Sequence, residues 1–167
     1  MRTIYLIEGP VGAGKSTYAG LLSKELTAVH LSLDEWFTHL YSSDRPSNGF
    51  FQWYFERKER LLELMWKHAL GLTESGISPI LELGLIQRQA RYAFYERAQV
   101  AEIDLRVHVL DASNETRWER VQKRNQEKGT TFSMFVSEQV FELASKLWEA
   151  PDDIEICDYQ INVVSTA

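Results

Sequence analysis

The chain has 167 residues, a single cysteine and a formal net charge of −6 at pH 7. This length fits one domain, residues 1–167, with a sizeable core, and a lone Cys157 excludes an internal disulfide. No apolar run approaches the roughly 20 residues of a membrane-spanning helix, and the N-terminus is not typical of a signal peptide. We therefore expect a cytoplasmic protein without a membrane partner. The acidic charge disfavours nucleic acid as a partner, because proteins that bind it usually carry a basic face.

Short apolar runs alternate with longer helical patterns along the chain. The patterns predict five strands, at 3–7, 29–33, 80–83, 104–110 and 159–164. They predict helices at 17–26, 34–40, 87–101 and 116–127, a long helix that ends before 76, and a helix between 133 and 151. A loop is predicted at 42–49. Ser133 is the predicted cap of the last helix, whose predicted buried stripe is Val136, Val140, Leu143, Ala144 and Leu147.

Strands that alternate with helices imply βαβ units with right-handed crossovers. The predicted fold is therefore an α/β fold with a five-stranded parallel sheet and helices on both faces. Ligands of such sheets bind beyond the carboxyl ends of the strands. We expect the functional residues to follow the strands directly.

The segment after the first strand matches the pattern G-x-x-x-x-G-K-[ST] in full. Glycines allow backbone angles at which successive N–H groups point inward and bind phosphate, and the next helix adds its positive N-terminal end. Lys15 is expected to reach the β- and γ-phosphates of ATP, and the Ser16 hydroxyl to coordinate Mg²⁺. A chance glycine-rich turn is the alternative, which the preceding strand and following helix disfavour. The predicted nucleotide-binding residues are Gly9, Pro10, Val11, Gly12, Ala13, Gly14, Lys15, Ser16 and Thr17.

Other classes of nucleotide-binding protein fit the sequence less well. The chain has no N-K-x-D element, which a guanine-specific GTPase would use for its base. The strand end Ile80-Leu81-Glu82 matches the acidic strand end of motors and large ATPases only loosely, and one small domain leaves no room for their architecture. A small kinase that uses ATP and Mg²⁺ remains.

A kinase needs a group that orients or deprotonates the acceptor hydroxyl. Asp34 follows the second strand, at the edge where ligands are expected, and it is the predicted general base. Its alternative role is the N-cap of the short helix, and Glu35 is a weaker rival for catalysis.

The glycine-rich loop, the element Ser32-Leu33-Asp34-Glu35-Trp36 and the segment 118–125 together resemble the small P-loop kinases. The nearest group is formed by ATP-binding proteins related to chloramphenicol phosphotransferase, the zeta toxins and the kinase domain of polynucleotide kinase. The resemblance implies a three-layer P-loop NTPase fold of the nucleoside/shikimate-kinase type. It also implies that Asp34 is the general base and that an arginine-bearing lid, at about 124–133, closes over the phosphates. The element Glu82-Leu83-Gly84 resembles a family strand end that more often reads Asp-x-Gly.

Three arginines, Arg117, Arg120 and Arg124, share one face of the helix that precedes the predicted lid. Arg120 and Arg124 are the predicted catalytic clamp on the γ-phosphate. For Arg117 a solvated face paired with Glu119 and Glu127 is favoured instead. Gly129 is the predicted hinge of the lid.

The candidates for the acceptor site are Trp36, Glu82, Arg88 and Arg91. Glu82 could hold a magnesium-bound water, cap the next turn, or pair with Arg88 or Arg91. The two arginines could contact the acceptor from the start of their helix. A run of aromatic residues between 36 and 55 exceeds what one helix face can bury, so some of it is expected to line a pocket for a flat or apolar molecule.

The leading hypothesis is an ATP-dependent phosphotransferase that acts on a hydroxyl of a small molecule. A kinase for polynucleotide 5′-hydroxyls or for a sugar nucleotide is the second hypothesis. The third is a nucleotide-binding regulator without catalysis. The sequence does not identify the acceptor or the oligomeric state, because acceptor pockets of this fold are built from variable loops.

Overall fold

The computed structural model describes residues 2–128 and 135–166. Its centre is a sheet of five parallel strands in the order β2-β3-β1-β4-β5. The strands are β1 (Thr3–Glu8), β2 (Val29–Ser32), β3 (Pro79–Glu82), β4 (Asp104–Asp111) and β5 (Asn162–Ser165). The predicted α/β fold with a five-stranded parallel sheet is confirmed. Among the strands, the largest shift is at β5, which begins three residues later than predicted.

Seven helices connect the strands in the described part of the chain. They are α1 (Lys15–Leu26), α2 (Leu33–Tyr41), α3 (Phe50–Glu74), α4 (Arg88–Val100), α5 (Asn114–Glu127), α6 (Glu138–Leu147) and α7 (Asp153–Asp158). None of these described helices has the length and apolar composition that crossing a bilayer requires.

Successive side chains of β1 point to opposite faces of the sheet, as in any strand. Ile4 and Leu6 belong to the larger core cluster, which α3 and α4 cover with residues such as Met65 and Tyr95. Ile7 belongs to the second cluster, which α1 covers with Ala19. Both faces of the sheet are therefore buried, as the predicted βαβ units require.

The predicted buried stripe of the segment around α6 is wrong for three of its five residues, whereas Val136 is buried as predicted and Ala144 is half-buried. Val140, Leu143 and Leu147 are each about half exposed, whereas Phe141 is buried. The reason is local: Phe141 packs with Val121 and Trp118 of α5, so the helix is rotated away from the face that periodicity favours. The helix begins at Glu138, where Ser137 accepts a hydrogen bond from the Val140 N–H at 3.3 Å. The predicted cap Ser133 lies outside the described residues.

The short helix α7 was not predicted, because six residues with three carboxylates show no apolar period. Asp152 caps it by accepting a hydrogen bond from the Glu155 N–H at 2.9 Å. The helix carries the fully buried Glu155 into the core beneath α4. It thereby delays the start of β5.

Candidate functional site

The glycine-rich loop connects β1 to α1 at the carboxyl edge of the sheet. A Cβ atom on Gly9 would lie 2.7 Å from the Leu110 carbonyl oxygen, and one on Gly12 would lie 2.5 Å from the Arg117 carbonyl oxygen. Both distances are shorter than van der Waals contact, and both glycines have positive φ angles of 150° and 79°. The loop is therefore held between β4 and α5 in a path that only glycine can follow at these positions.

Lys15 and Ser16 open α1 directly after this loop. The Lys15 ammonium donates hydrogen bonds to the carbonyl oxygens of Gly9 at 2.8 Å and Pro10 at 3.0 Å. The Ser16 hydroxyl donates to Glu82 Oε1 at 2.9 Å. The loop thus brings a cation, a hydroxyl and a carboxylate to one edge of the sheet.

Glu82 ends β3, and its second oxygen, Oε2, lies 3.0 Å from His30 Nε2. Burial favours the protonated form, but the hydrogen bond with His30 and the charge of Lys15 outweigh it, so the pKa of Glu82 lies below its usual value. Ion pairing of Glu82 with Arg88 or Arg91 is contradicted, because its partners are Ser16 and His30. The predicted role at a magnesium-bound water stays a prediction.

These residues fit a nucleotide with its magnesium ion. Backbone N–H groups and Lys15 suit phosphate oxygens, and the oxygens of Ser16 and Glu82 are ligands of the type that Mg²⁺ takes, directly or through water. Among the described residues, no group of three or more histidine, cysteine and carboxylate side chains converges on a metal site independent of a nucleotide.

Asp34 lies in the first turn of α2, two residues beyond the end of β2. The cap of this helix is Ser32, whose hydroxyl accepts a hydrogen bond from the Glu35 N–H at 3.4 Å. Asp34 as the N-cap is therefore wrong, and its carboxylate is free of that task. Because Ser32 pairs with Glu82 across β2 and β3, Asp34 is carried to the same edge as Glu82.

The surroundings of Asp34 oppose its ionisation. Desolvation, and then the charge of Glu82, raise the pKa of Asp34, although the residue is exposed at the surface. Lys15, Lys58 and Arg124 act in the opposite direction. The charges of Asp34, Lys15 and Arg124 thus interact at one site.

Two of the three arginines of α5 contact the glycine-rich loop. Arg117 donates to the Val11 carbonyl oxygen at 2.9 Å, and Arg120 donates to that of Ala13 at 3.4 Å. The predicted solvated face is wrong for Arg117, whose side chain is buried and packs over the Phe141 ring. Arg120 also binds Thr166, beside β5.

Arg124 is the arginine that acts on the carboxylates of the site. Burial lowers the pKa of its guanidinium, and the charges of Asp34 and Glu82 partly offset this effect. Its Nε atom is buried without a hydrogen-bond partner in the described part of the chain. Arg124 thus has no hydrogen bond from its side chain among the described residues, whereas Arg120 is already engaged with the loop. Of the predicted lid, 129–133 lies outside the described residues, including its hinge Gly129.

Three of the four predicted acceptor residues have other contacts. Arg91 has no exposed surface and donates from Nε and Nη2 to the two oxygens of Glu155 at 2.7 and 2.9 Å, which contradicts a contact with the acceptor. Arg88 pairs with Asp152 at 3.0 Å and is directed to α7. Trp36 packs on the main core and against the His68 ring. Glu82 is the one member of this set that lies beside the phosphate loop.

The aromatic run forms a self-packed cluster between α2 and α3, which we call the aromatic cluster. Its members are Phe37, Tyr41, Phe50, Trp53 and Tyr54, with ring centroids between 4.9 and 6.4 Å apart. Burial, and then the charge of Asp34, raise the pKa of Tyr54 to about 12. The cluster therefore adjoins the candidate base, and its half-buried rings present apolar surface there.

Two charged residues of the site were missed in the sequence. Glu8 ends β1 and is fully buried, and Lys58 extends from α3 towards the loop after β3. Glu8 resembles an ordinary strand terminus, although an acidic residue between an apolar strand and the glycine-rich loop is a signal that could have been used. Lys58 lies in the charged run Glu56-Arg57-Lys58-Glu59-Arg60, which is typical of a solvated helix face.

The buried Glu8 should make stability depend on pH. Its Oε2 accepts a hydrogen bond from the Leu85 N–H at 2.9 Å, its Oε1 has no partner among the described residues, and burial raises its pKa from 4.5 to about 7. A carboxyl whose pKa is raised in the folded state stabilises the fold below pH 4.5, and that stability is lost as the pH rises through 7.

Glu8→Gln is therefore expected to raise the free energy of unfolding at pH 8 by up to about 3 kcal/mol and to flatten its fall between the two pKa values. Denaturant unfolding of both proteins at a series of pH values measures the difference. The exposed Glu59→Gln is the matched control and should follow the unchanged protein. A parallel pH profile for Glu8→Gln would contradict the assignment.

Comparisons with known proteins come from sequence and from structure. Comparison by sequence with curated proteins gives no significant match. The fold is similar to that of Chaetomium thermophilum Kti12 in complex with ADP-AlF3, with a TM-score of 0.73, 18% identity, and coverage of 98% of this chain and 89% of that one. It is similar to a gluconokinase from Sinorhizobium meliloti, with a TM-score of 0.62, 16% identity and coverage of 99% and 83%. It is also similar to the Mycobacterium tuberculosis APS kinase, with a TM-score of 0.63, 18% identity, and coverage of 98% of this chain and 88% of that one.

These TM-scores show a common fold, which is that of the P-loop kinases. The kinase-like resemblance and the three-layer architecture inferred from the sequence are thereby confirmed. A family model described as an AAA domain matches residues 4–151. The chain therefore belongs to this family of P-loop, kinase-like domains.

Proposed function

We propose that the protein binds ATP with magnesium and transfers the γ-phosphoryl group to a hydroxyl of a small-molecule acceptor. The observation that carries this proposal is the position of Asp34. It lies beside Glu82, in the electrostatic field of Lys15 and Arg124, and it does not serve as the helix cap. A purely nucleotide-binding protein would have no need of a carboxylate at this edge beside the phosphate loop.

Each residue of the site has a distinct task in this reaction. The loop amides hold the phosphates, and Lys15 leaves the carbonyl oxygens of Gly9 and Pro10 to bind them. Magnesium, when bound with ATP, would neutralise charge on the phosphate oxygens, and Ser16 and Glu82 are the residues that would hold it. Asp34 orients the acceptor hydroxyl and accepts its proton as transfer proceeds. Arg124 stabilises the charge spread over the transferred group.

The similar structures support a small acceptor. A gluconokinase, a sugar kinase from Janibacter sp. and an APS kinase share this fold. These activities are those of the similar proteins. They show that the architecture carries kinases, and the negative charge of this chain also favours a small acceptor over a polynucleotide.

A polynucleotide 5′-hydroxyl is the second candidate acceptor, and one observation favours it. The Arg45 guanidinium lies 4.4 Å from the Phe50 ring centroid, and that of Arg57 lies 4.6 Å from the Trp53 centroid. Arginines next to aromatic rings suit stacked bases and phosphates. Incubation with ATP labelled on the γ-phosphorus and a 5′-hydroxyl oligonucleotide tests this candidate. A labelled 5′-end would identify the polynucleotide, and not a small molecule, as the acceptor.

ADP release across a panel of sugars, nucleosides, hydroxy acids and antibiotics tests the proposal. We expect at least one compound to stimulate ADP release by the unchanged protein, and Lys15→Met, which lacks the phosphate-binding ammonium, to show no stimulation. A regulator that binds ATP without transferring phosphate would bind the nucleotide normally and respond to no acceptor. That result would contradict the proposed phosphotransferase.

A further inference from the structure

Lys58 is a cation at the candidate acceptor site. It lies on α3, at the base of the aromatic cluster, with its ammonium 6.0 Å from the Tyr54 ring centroid. Its Nζ donates a long hydrogen bond of 3.4 Å to the Gly84 carbonyl oxygen, in the loop that follows β3. The side chain therefore extends inward, towards the edge of the sheet at which Glu82 and Asp34 lie.

The surroundings of this ammonium are short of hydrogen-bond acceptors. Burial lowers the pKa of Lys58, while the charges of Asp34 and Glu8 raise it without outweighing the burial. Neither carboxylate forms a direct ion pair with Lys58 among the contacts of the described residues. An ammonium has three donors, and one long contact leaves most of this capacity for a ligand.

A solvated lysine on the same helix, Lys67, has different surroundings. Lys67 is 69% exposed and pairs with Glu63 at 3.7 Å, one turn away. Long side chains of this kind usually keep their charge in water. Lys58 instead gives up part of its hydration, which is unfavourable unless an anion compensates for it. Asp34 provides the field of such an anion but no direct contact.

We propose that Lys58 binds an anionic group, a carboxylate or a phosphate, of the phosphoryl acceptor. The inference rests on the proposed phosphotransferase function and narrows its substrate to an acidic hydroxyl compound. Asp34 would receive the hydroxyl and Lys58 the negative group, while the rings of Phe37 and Tyr54 would contact the apolar part of the molecule. A cation near the base would also weaken the repulsion between a negatively charged acceptor and the carboxylates of Asp34 and Glu82.

The proposal is tested with inorganic phosphate as the probe. The phosphate loop is first filled with ADP, magnesium and aluminium fluoride, so that a second anion can bind only elsewhere. Line broadening of the phosphorus NMR resonance of inorganic phosphate then reports binding. We expect saturable binding, which Lys58→Met weakens by about ten- to a hundredfold, the range of one charge-assisted hydrogen bond.

Three further variants keep this test specific. Lys58→Arg retains a cation and should bind phosphate within about threefold of the unchanged protein, a difference smaller than one charge-assisted bond. Lys58→Gln also removes the charge, so its phosphate affinity can be measured if the methionine variant fails to fold. Lys67→Met, a solvated lysine of the same helix, should change nothing. No saturable binding, or equal binding to Lys58→Met, would overturn the anion site.

Failure of this inference can be told apart from failure of the proposed function. If an acceptor that stimulates ADP release carries no acidic group, the role of Lys58 is wrong, yet phosphoryl transfer stands. If phosphate binds through Lys58 but no acceptor stimulates ADP release, the anion site stands and phosphoryl transfer does not. An acidic acceptor whose KM rises in Lys58→Met, with the KM for ATP unchanged, supports both.

Discussion

Asp34→Asn is expected to lower kcat for phosphoryl transfer by about 10²- to 10⁴-fold, the usual contribution of a positioned general base. Asparagine has nearly the same shape as aspartate but cannot accept the proton of the acceptor hydroxyl. The glycine-rich loop, Lys15 and Ser16 are unchanged in this variant. The affinity for ATP should therefore stay within about twofold of the original value, because the substitution removes an interaction of the transition state alone.

Glu35→Gln is the matched control for this substitution. Glu35 is the next residue of the same helical turn, is exposed, and takes part in the Ser32 cap through its backbone N–H alone. Its substitution should leave kcat unchanged. Because desolvation and Glu82 raise the pKa of Asp34, the acid limb of the kcat profile should lie above the ordinary range of an aspartate. Equal turnover by Asp34→Asn and the unchanged protein would contradict the role of Asp34.

Glu155→Gln is expected to lower the free energy of unfolding by about 3–5 kcal/mol, because it leaves a buried guanidinium without its counter-charge. Glu155 and Arg91 have no exposed side-chain surface, and two hydrogen bonds of 2.7 and 2.9 Å join them. The Tyr95 hydroxyl donates a third bond to Glu155, at 3.1 Å. Denaturant unfolding at pH 7 measures the change.

The surface pair of Arg97 and Glu63 provides the matched control. Its hydrogen bond is also 2.7 Å long, but its side chains are 39% and 47% exposed. Glu63→Gln should change stability far less, because water compensates the exposed partner. The double substitution Arg91→Met with Glu155→Leu should recover most of the loss, since no charge then stays buried. A small effect of Glu155→Gln alone would mean that Arg91 finds water or another carboxylate.

The sequence predicted the sheet and the phosphate loop because short-range signals determine them. The apolar, β-branched run at 3–7 is typical of a strand, and Gly9 and Gly12 are required because a Cβ atom at either position would lie 2.7 or 2.5 Å from a carbonyl oxygen. The position of Asp34 followed from the same rule, since it comes directly after β2. What the sequence did not reveal was that Ser32, two residues earlier, supplies the cap.

The other errors share a cause, which is that long-range pairing decides the role of a charged residue. Arg91 looks like a surface arginine at the start of a helix, and only α7 brings Glu155 to it, 64 residues later in the chain. Lys58 sits in a run of charges, and only the packing of α3 on the sheet turns it inward. Likewise, Arg117 is buried because Phe141 of α6 covers it. Helical periodicity carries none of this information.

Transfer of label from ATP marked on its γ-phosphorus to an acceptor is the most direct measurement of the central claim. The unchanged protein should transfer label to a hydroxyl of an acceptor in the presence of magnesium. Asp34→Asn should bind the same ATP with unchanged affinity and transfer label about 10²- to 10⁴-fold more slowly. Label that appears only as free phosphate in every acceptor mixture, or transfer at the full rate by Asp34→Asn, would contradict a phosphotransferase that uses Asp34 as its base.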